Sequence, residues 1–204
     1  MVLCTKLLTA WTLVVSIAAS SLEKRGKSVI VGYRTVNSEF AQRYHDAGNT
    51  LVYSKSHSSD QLGPGAYISP TRGDWPLQGD TFWDCAILAD SSAWDRVNKA
   101  WVPEFGTDPC TPLWYSKGES NRNAYLGDLG FTASNTVLLS KIDGFEKLQI
   151  LVPPALIDKS GGMNFNVQCA KQTNQQGIAA ISIYGDVDWY SWLDVGGTPQ
   201  HVNP

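Results

Sequence analysis

The segment Lys147-Leu148-Gln149-Ile150-Leu151-Val152-Pro153-Pro154 constrains this chain more than any other. Polar and apolar residues alternate at 147–150, the period of a β-strand, so Lys147 and Gln149 share one face. Proline cannot donate to a strand ladder, and Pro153-Pro154 therefore ends the strand. A strand with two polar side chains on one face is either an ordinary wet edge or the wall of a site.

The remaining elements follow from similar patterns. Residues 29–36 read as a first strand, and Ser38 caps a helix over 39–47 that stops at Gly48-Asn49. A polar surface loop spans 54–61. Leu62-Gly63-Pro64-Gly65 is a tight turn delivering a short strand at 66–69. Residues 81–89 form an apolar strand, Ser91-Ser92 opens a short helical segment, and 100–102 is a short strand. Residues 104–123, rich in Gly, Pro and Ser, read as irregular. Further strands are expected at 136–142, 148–152 and 178–184. Strands outnumber helices, which predicts an α+β fold with a mostly antiparallel β core and few helices.

The N-terminus reads as a targeting segment. Lys6 precedes an apolar run too short to span a bilayer, ending in Ala18, Ala19 and Ser20, so residues 1–20 are expected to be a signal peptide. Lys24-Arg25 follows as a dibasic processing site, making 21–25 a short propeptide of a fungal or other eukaryotic secretory route. Residues 26–204 are then a single domain, secreted and extracellular, with no membrane span and expected to be a monomer. Losing Lys6, Lys24, Arg25 and Glu23 takes 16 basic and 19 acidic residues to 13 and 18, a net charge of −5. Such a balance argues against a nucleic-acid partner.

Cys4 leaves with the leader, and Cys85, Cys110 and Cys169 remain. An oxidising compartment favours one disulfide, with three pairings open and Cys85–Cys110 preferred because it closes the shorter loop. No metal site is expected, since no Cys-x-x-Cys occurs and His45, His57 and His201 are scattered. Nor do these histidines pattern with a nucleophile. The tryptophan-rich stretch Asp188-Trp189-Tyr190-Ser191-Trp192 reads either as an aromatic ledge or as a segment packed on the core.

Three separated pieces bear on chemistry. In Gly32-Tyr33-Arg34-Thr35 an arginine follows an aromatic on the first strand. In Gly63-Pro64-Gly65-Ala66-Tyr67-Ile68-Ser69, glycines allow close backbone approach, while Tyr67 and Ser69 share a strand face. The third piece is Lys147-Leu148-Gln149 with its Pro-Pro stop. In this order the pieces resemble the ADP-ribosyltransferase superfamily, in particular secreted arginine-type mono-ADP-ribosyltransferases and the catalytic chains of heat-labile enterotoxins. That family carries a first-strand Arg, a Ser-Thr-Ser strand and a Glu-x-Glu before a Pro-Pro-like run. The likeness runs from about residue 29 to 157.

The resemblance implies an ADP-ribosyltransferase-like fold and NAD as substrate. Arg34 would pair with the dinucleotide phosphates, Gly65 would allow close approach, Tyr67 would stack on nicotinamide and Ser69 would position the ribose. Gln149 stands at the catalytic glutamate and Lys147 at the first glutamate. Pro70-Thr71 follow Ser69 where the family has Thr-Ser. A Gln carbonyl accepts the hydrogen bond of the lost carboxylate but brings no charge, at a cost of roughly 10²–10³ in rate. Glu146 and Glu104 are the surrogate carboxylates considered. The implied function is a secreted NAD-binding toxin or effector, a divergent mono-ADP-ribosyltransferase or NAD glycohydrolase whose protein acceptor is unknown. The alternative is a catalytically inactive effector or binding protein on the same scaffold.

Overall fold

The computed structural model describes residues 27–55, 61–75, 77–157 and 161–202. The expected signal peptide and propeptide lie outside them, as does most of the polar loop at 54–61. In chain order the elements are β1 (Ser28–Asn37), α1 (Ser38–Asp46), β2 (Ala66–Ile68), β3 (Phe82–Asp90), α2 (Ser91–Arg96), β4 (Asn98–Trp101) and α3 (Glu119–Asp128). They continue with β5 (Thr136–Lys141), β6 (Leu148–Val152), α4 (Pro154–Ile157), β7 (Asn166–Lys171), α5 (Gln175–Ser182) and β8 (Val195–Gly196).

Two sheets face each other. One has the order β1-β3-β7, the other β2-β6-β5-β4-β8. The β1–β3, β3–β7, β2–β6 and β5–β6 pairs are antiparallel, whereas β4 pairs in parallel with β5 and β8. The fold is thus α+β around a mainly antiparallel core, as the strand-rich pattern predicted.

Strand alternation assigns each face its neighbour. Val31, Cys85 and Ile87 from one sheet meet Ile68, Val137, Leu139 and Ile150 from the other in the buried core between them. On the outer face of the larger sheet, Leu138 and Leu151 pack under α3 through Leu126. On the outer face of the smaller sheet, Tyr33, Ala86 and Ala170 pack under α5 through Ile181.

The sheets are stitched together by one antiparallel bridge between Tyr33 and Ser69. Each backbone N–H donates to the other's carbonyl at 2.8 Å. Gly32 makes this approach possible. A Cβ there would lie 2.4 Å from the Ser69 carbonyl oxygen and 2.7 Å from Ile68 Cγ2, on a backbone with φ +154°. The β1–β3 register also shifts between Ile30 and Gly32, a bulge that turns the strand toward β2.

The disulfide differs from the preferred pairing. Cys85 and Cys169 face each other directly in the β3–β7 register and are bonded, leaving Cys110 exposed and reduced. Sheet register, not loop length, chose the partners. The bond spans 84 residues, and closing a loop of that size removes about 4–5 kcal/mol of chain entropy from the unfolded state.

Three expectations about elements are corrected. Residues 178–184 are not a strand: α5 runs across them because the Asn174 carboxamide oxygen accepts from Gly177 N at 3.1 Å, capping a helix in which Ile178 and Ile181 reach the sheet. Part of the supposedly irregular 104–123 belongs to α3, whose inward side carries Arg122 and Leu126. Strand β7, short and half exposed, was not anticipated. In addition, α1 is capped by Asn37, accepting from Phe40 N at 2.9 Å, rather than by Ser38.

The C-terminal aromatics pack on the core rather than forming a ledge. Trp189 is buried and donates Nε1–H to the Val31 carbonyl at 3.0 Å. Trp192 lies edge-on to Trp94 at 5.4 Å, and Tyr190 stacks on Trp101 at 5.5 Å. Lys99 is buried beside this cluster, donating to the Trp94 and Val97 carbonyls, and burial lowers its pKa against the pull of Asp95 and Asp194.

The tight Gly32 contact yields a stability prediction. Gly32→Ala should destabilise the fold by about 2–3 kcal/mol through overpacking against β2, read as a lower denaturant midpoint. An unchanged midpoint would show that the sheets part there without cost.

Candidate functional site

Where β1 passes beneath β2, a cavity of about 260 Å³ opens between the sheets. Arg34, Tyr67, Ser69 and Gln149 all line it. Four residues from three distant segments are therefore brought to one hollow, walled by β1, the start of α1, β2, β6 and parts of 70–75 and 77–79. Apolar side chains including Val36, Phe40, Ile68 and Ile142 complete it.

Arg34 reaches the cavity from a half-buried position on β1, directly opposite Cys85. Its Nη1 donates to the Tyr44 hydroxyl at 2.9 Å, and its guanidinium carbon lies 5.1 Å above the Phe40 ring. Tyr44 and Phe40 both belong to α1, where their rings meet edge-to-face at 5.2 Å. Tyr44 is fully buried, which raises its pKa despite the opposing effect of Arg34.

Gln149 is 6% exposed. Its Nε2 donates to Ser140 Oγ at 3.2 Å, directly across the β5–β6 pair, and reaches the Lys141 carbonyl at 3.5 Å. Behind it, buried Gln61 donates to that same carbonyl at 2.7 Å and accepts from Asp143 N at 3.0 Å. The Gln149 carbonyl oxygen takes part in neither bond, and an acceptor is what the sequence asked of this position.

Ser69 is half buried, with its backbone spent on the bridge to Tyr33. Tyr67 is engaged differently from the stacking role expected of it. Its hydroxyl accepts from Leu62 N at 2.8 Å and donates to the Gly63 carbonyl at 2.9 Å, closing its own turn. Its ring packs on the outer cluster with Leu62 and Leu151. Gly65 does not line the cavity. It lets β2 settle on β6, since a Cβ there would lie 2.4 Å from both Leu151 Cδ1 and the Val152 carbonyl oxygen.

Lys147 anchors a wall instead of facing an acceptor: its ammonium donates to the Asp74 carbonyl and lies 3.9 Å from the Asp74 carboxylate. Burial raises the Asp74 pKa, with Lys147 opposing. Neither surrogate carboxylate reaches the cavity. Glu146 pairs with Lys141 at 2.7 Å, and Glu104 is exposed elsewhere. Among the described residues, no Asp, Glu, His, Lys or Cys lines the hollow.

The sequence reading missed the wall itself. Residues 70–75 and 77–79 carry Trp75 and Leu77 into the lining, and buried Asp84 fastens them. Asp84 accepts from Arg72 Nη1, Thr35 Oγ1 and Gln172 Nε2, each at 3.0 Å. Gln172 also donates to the Leu77 carbonyl at 2.9 Å and accepts from Gly79 N at 3.1 Å. No local motif announces Asp84. Its partners Thr35, Arg72 and Gln172 come from three separate stretches, and only the three-dimensional pairing assembles them.

Asp84→Ala should cost about 2–3 kcal/mol, because it strands the half-buried Arg72 and two donors, and it should expose the segment 70–79 to proteolysis. Wild-type stability with an unchanged cleavage pattern would contradict this anchoring. The raised Tyr44 pKa sets a pH dependence. Its contribution is fully present below the unfolded tyrosine value of about 10 and is lost as pH rises through the higher folded value. Denaturant midpoints from pH 8 to 11 should therefore fall less steeply in Tyr44→Phe than in wild type, and equal slopes would exclude Tyr44 as a contributor.

Comparison with known proteins bears on the larger part of the chain. No curated protein matches it. Residues 60–198 match a family of unknown function, and the matched stretch holds β2 through β8, with Ser69, Trp75, Asp84 and Gln149, but not Arg34 on β1. The chain belongs to that family, DUF5910.

Proposed function

We propose that the cavity is an NAD site and that the protein is an exported NAD-binding effector or toxin of ADP-ribosyltransferase-like design. One observation carries the reading: Arg34, Ser69 and Gln149, the positions matched to that family's motifs, line a single hollow. In this reading Arg34 pairs with the phosphates, as a guanidinium fork suits them. Ser69 and the Gln149 carbonyl receive the ribose hydroxyls. A volume of about 260 Å³ is small against the roughly 300–1,000 Å³ of ligand sites, so it accommodates one nucleoside half. The adjoining recess lined by Ser69, Trp75 and Arg72 measures only about 10 Å³, so the remainder would lie along the open surface outside the cavity. The Cys85–Cys169 bond supports passage through an oxidising compartment.

Turnover would make this protein a divergent mono-ADP-ribosyltransferase or NAD glycohydrolase. In the hydrolytic case the bond from ribose C1′ to nicotinamide breaks, nicotinamide departs, and water adds to C1′ with release of a proton. Binding without turnover is the second reading. It is favoured by a lining that offers, among the described residues, no carboxylate to stabilise the oxocarbenium ion and no base for the water.

Titration of the chain lacking residues 1–25 with NAD, followed by assay of released nicotinamide, tests the proposal. NAD should bind, and Arg34→Ala should weaken it at least about tenfold, the scale of a charge-assisted phosphate contact, without loss of fold. Nicotinamide release selects the enzyme, and binding alone selects the inactive effector. Absence of NAD binding overturns both.

A further inference from the structure

We infer that Trp75 is the surface on which the cavity stacks a flat aromatic ring; naming that ring as nicotinamide or adenine rests on the NAD reading above. Large aromatics of this chain are mostly sequestered: Trp94, Trp101 and Trp189 are buried. Trp75 is 41% exposed, yet lines both the cavity and its adjoining recess. Tyr67, the other aromatic expected to stack, has its hydroxyl tied into a turn and its ring packed on the outer cluster.

The indole is exposed but its backbone is well fastened. On its N-terminal side Lys147 grips the neighbouring Asp74 and Asp84 holds Arg72. On its C-terminal side Gln172 ties the Leu77 carbonyl and the Gly79 N–H. Phe145, 51% exposed, leans against the indole with ring centroids 6.3 Å apart. A large apolar side chain left in water on a backbone anchored at both ends is preorganised for a partner, since little ordering remains to be done on binding. An aromatic face favours a stacked planar ring. Arg34, across the same hollow, is a cation for an anionic tail. The ligand class is therefore a flat aromatic ring joined to an anionic group.

Two probes separate this inference from the NAD reading: NAD itself, and 8-anilinonaphthalene-1-sulfonate, which has flat rings and an anion but no nucleotide. Wild type, Trp75→Ala and Trp75→Phe are titrated with each, with melting temperatures measured alongside. Trp75→Ala should weaken binding at least about tenfold, while Trp75→Phe, which keeps a ring, should stay within about threefold. Melting temperatures should hardly move, because an exposed side chain contributes little to stability. Trp75-dependent binding of the sulfonate without NAD binding would sink the dinucleotide reading and uphold the stacking role. Equal affinity of Trp75→Ala and wild type for whichever probe binds would overturn the stacking role alone. Binding of neither probe to wild type would overturn both.

Discussion

Among the described residues the two sheets are joined by one backbone bridge, Tyr33 to Ser69, and both of its residues line the candidate site. Two 2.8 Å hydrogen bonds join β1 to the end of β2, and only a residue without a Cβ fits beside them. The bridge sets Arg34, the next residue along β1, near Ser69 at the end of β2, and both line one cavity with Gln149 of β6.

Around that joint the structure is rigid. Arg34 pairs in register with Cys85, and Cys85 is bonded to Cys169 on the next strand, so the strand bearing the cation is stapled through its neighbour. Helix α1 supplies the guanidinium with an aromatic platform and a hydroxyl. The facing wall is held by buried Asp84 and by Lys147, and the Gln149 amide is backed by Ser140 and Gln61. These supports are polar and come from distant stretches of chain. Together they describe a site whose geometry is settled before any ligand arrives, with a cation, hydrogen-bonding groups and aromatic surface but, among the described lining residues, no acid or base.

Much of this was legible in the sequence because strands advertise themselves. The strand at Leu148–Val152 before its Pro-Pro stop, the apolar run of β3 and the short strand β2 after the Gly-Pro-Gly turn all stand where they were read. Arg34, Ser69 and Gln149, singled out by motif order, all line the one cavity. Other features were illegible for physical reasons. The run Ile178-Ala179-Ala180-Ile181 suits strand or helix, and the choice fell to the Asn174 cap and the sheet beneath. Disulfide choice depended on β7, a short strand with weak local signal. Tyr67 was on the right strand, but a nearby carbonyl and amide captured its hydroxyl. Trp75 sits in a Gly- and Pro-rich stretch without periodicity, so its place in the wall becomes visible only once Asp84 and Lys147 have pinned the neighbouring residues.

On the proposed reading, one hollow lined from three distant segments is where this protein meets its ligand. The most direct measurement is an amide-resolved NMR titration of the chain lacking residues 1–25 with NAD. Saturable shifts confined to amides around 33–37, 67–75 and 149 are expected, moving together with one dissociation constant. Shifts centred elsewhere, or none in β1 while β6 responds, would show that the hollow is not the ligand site.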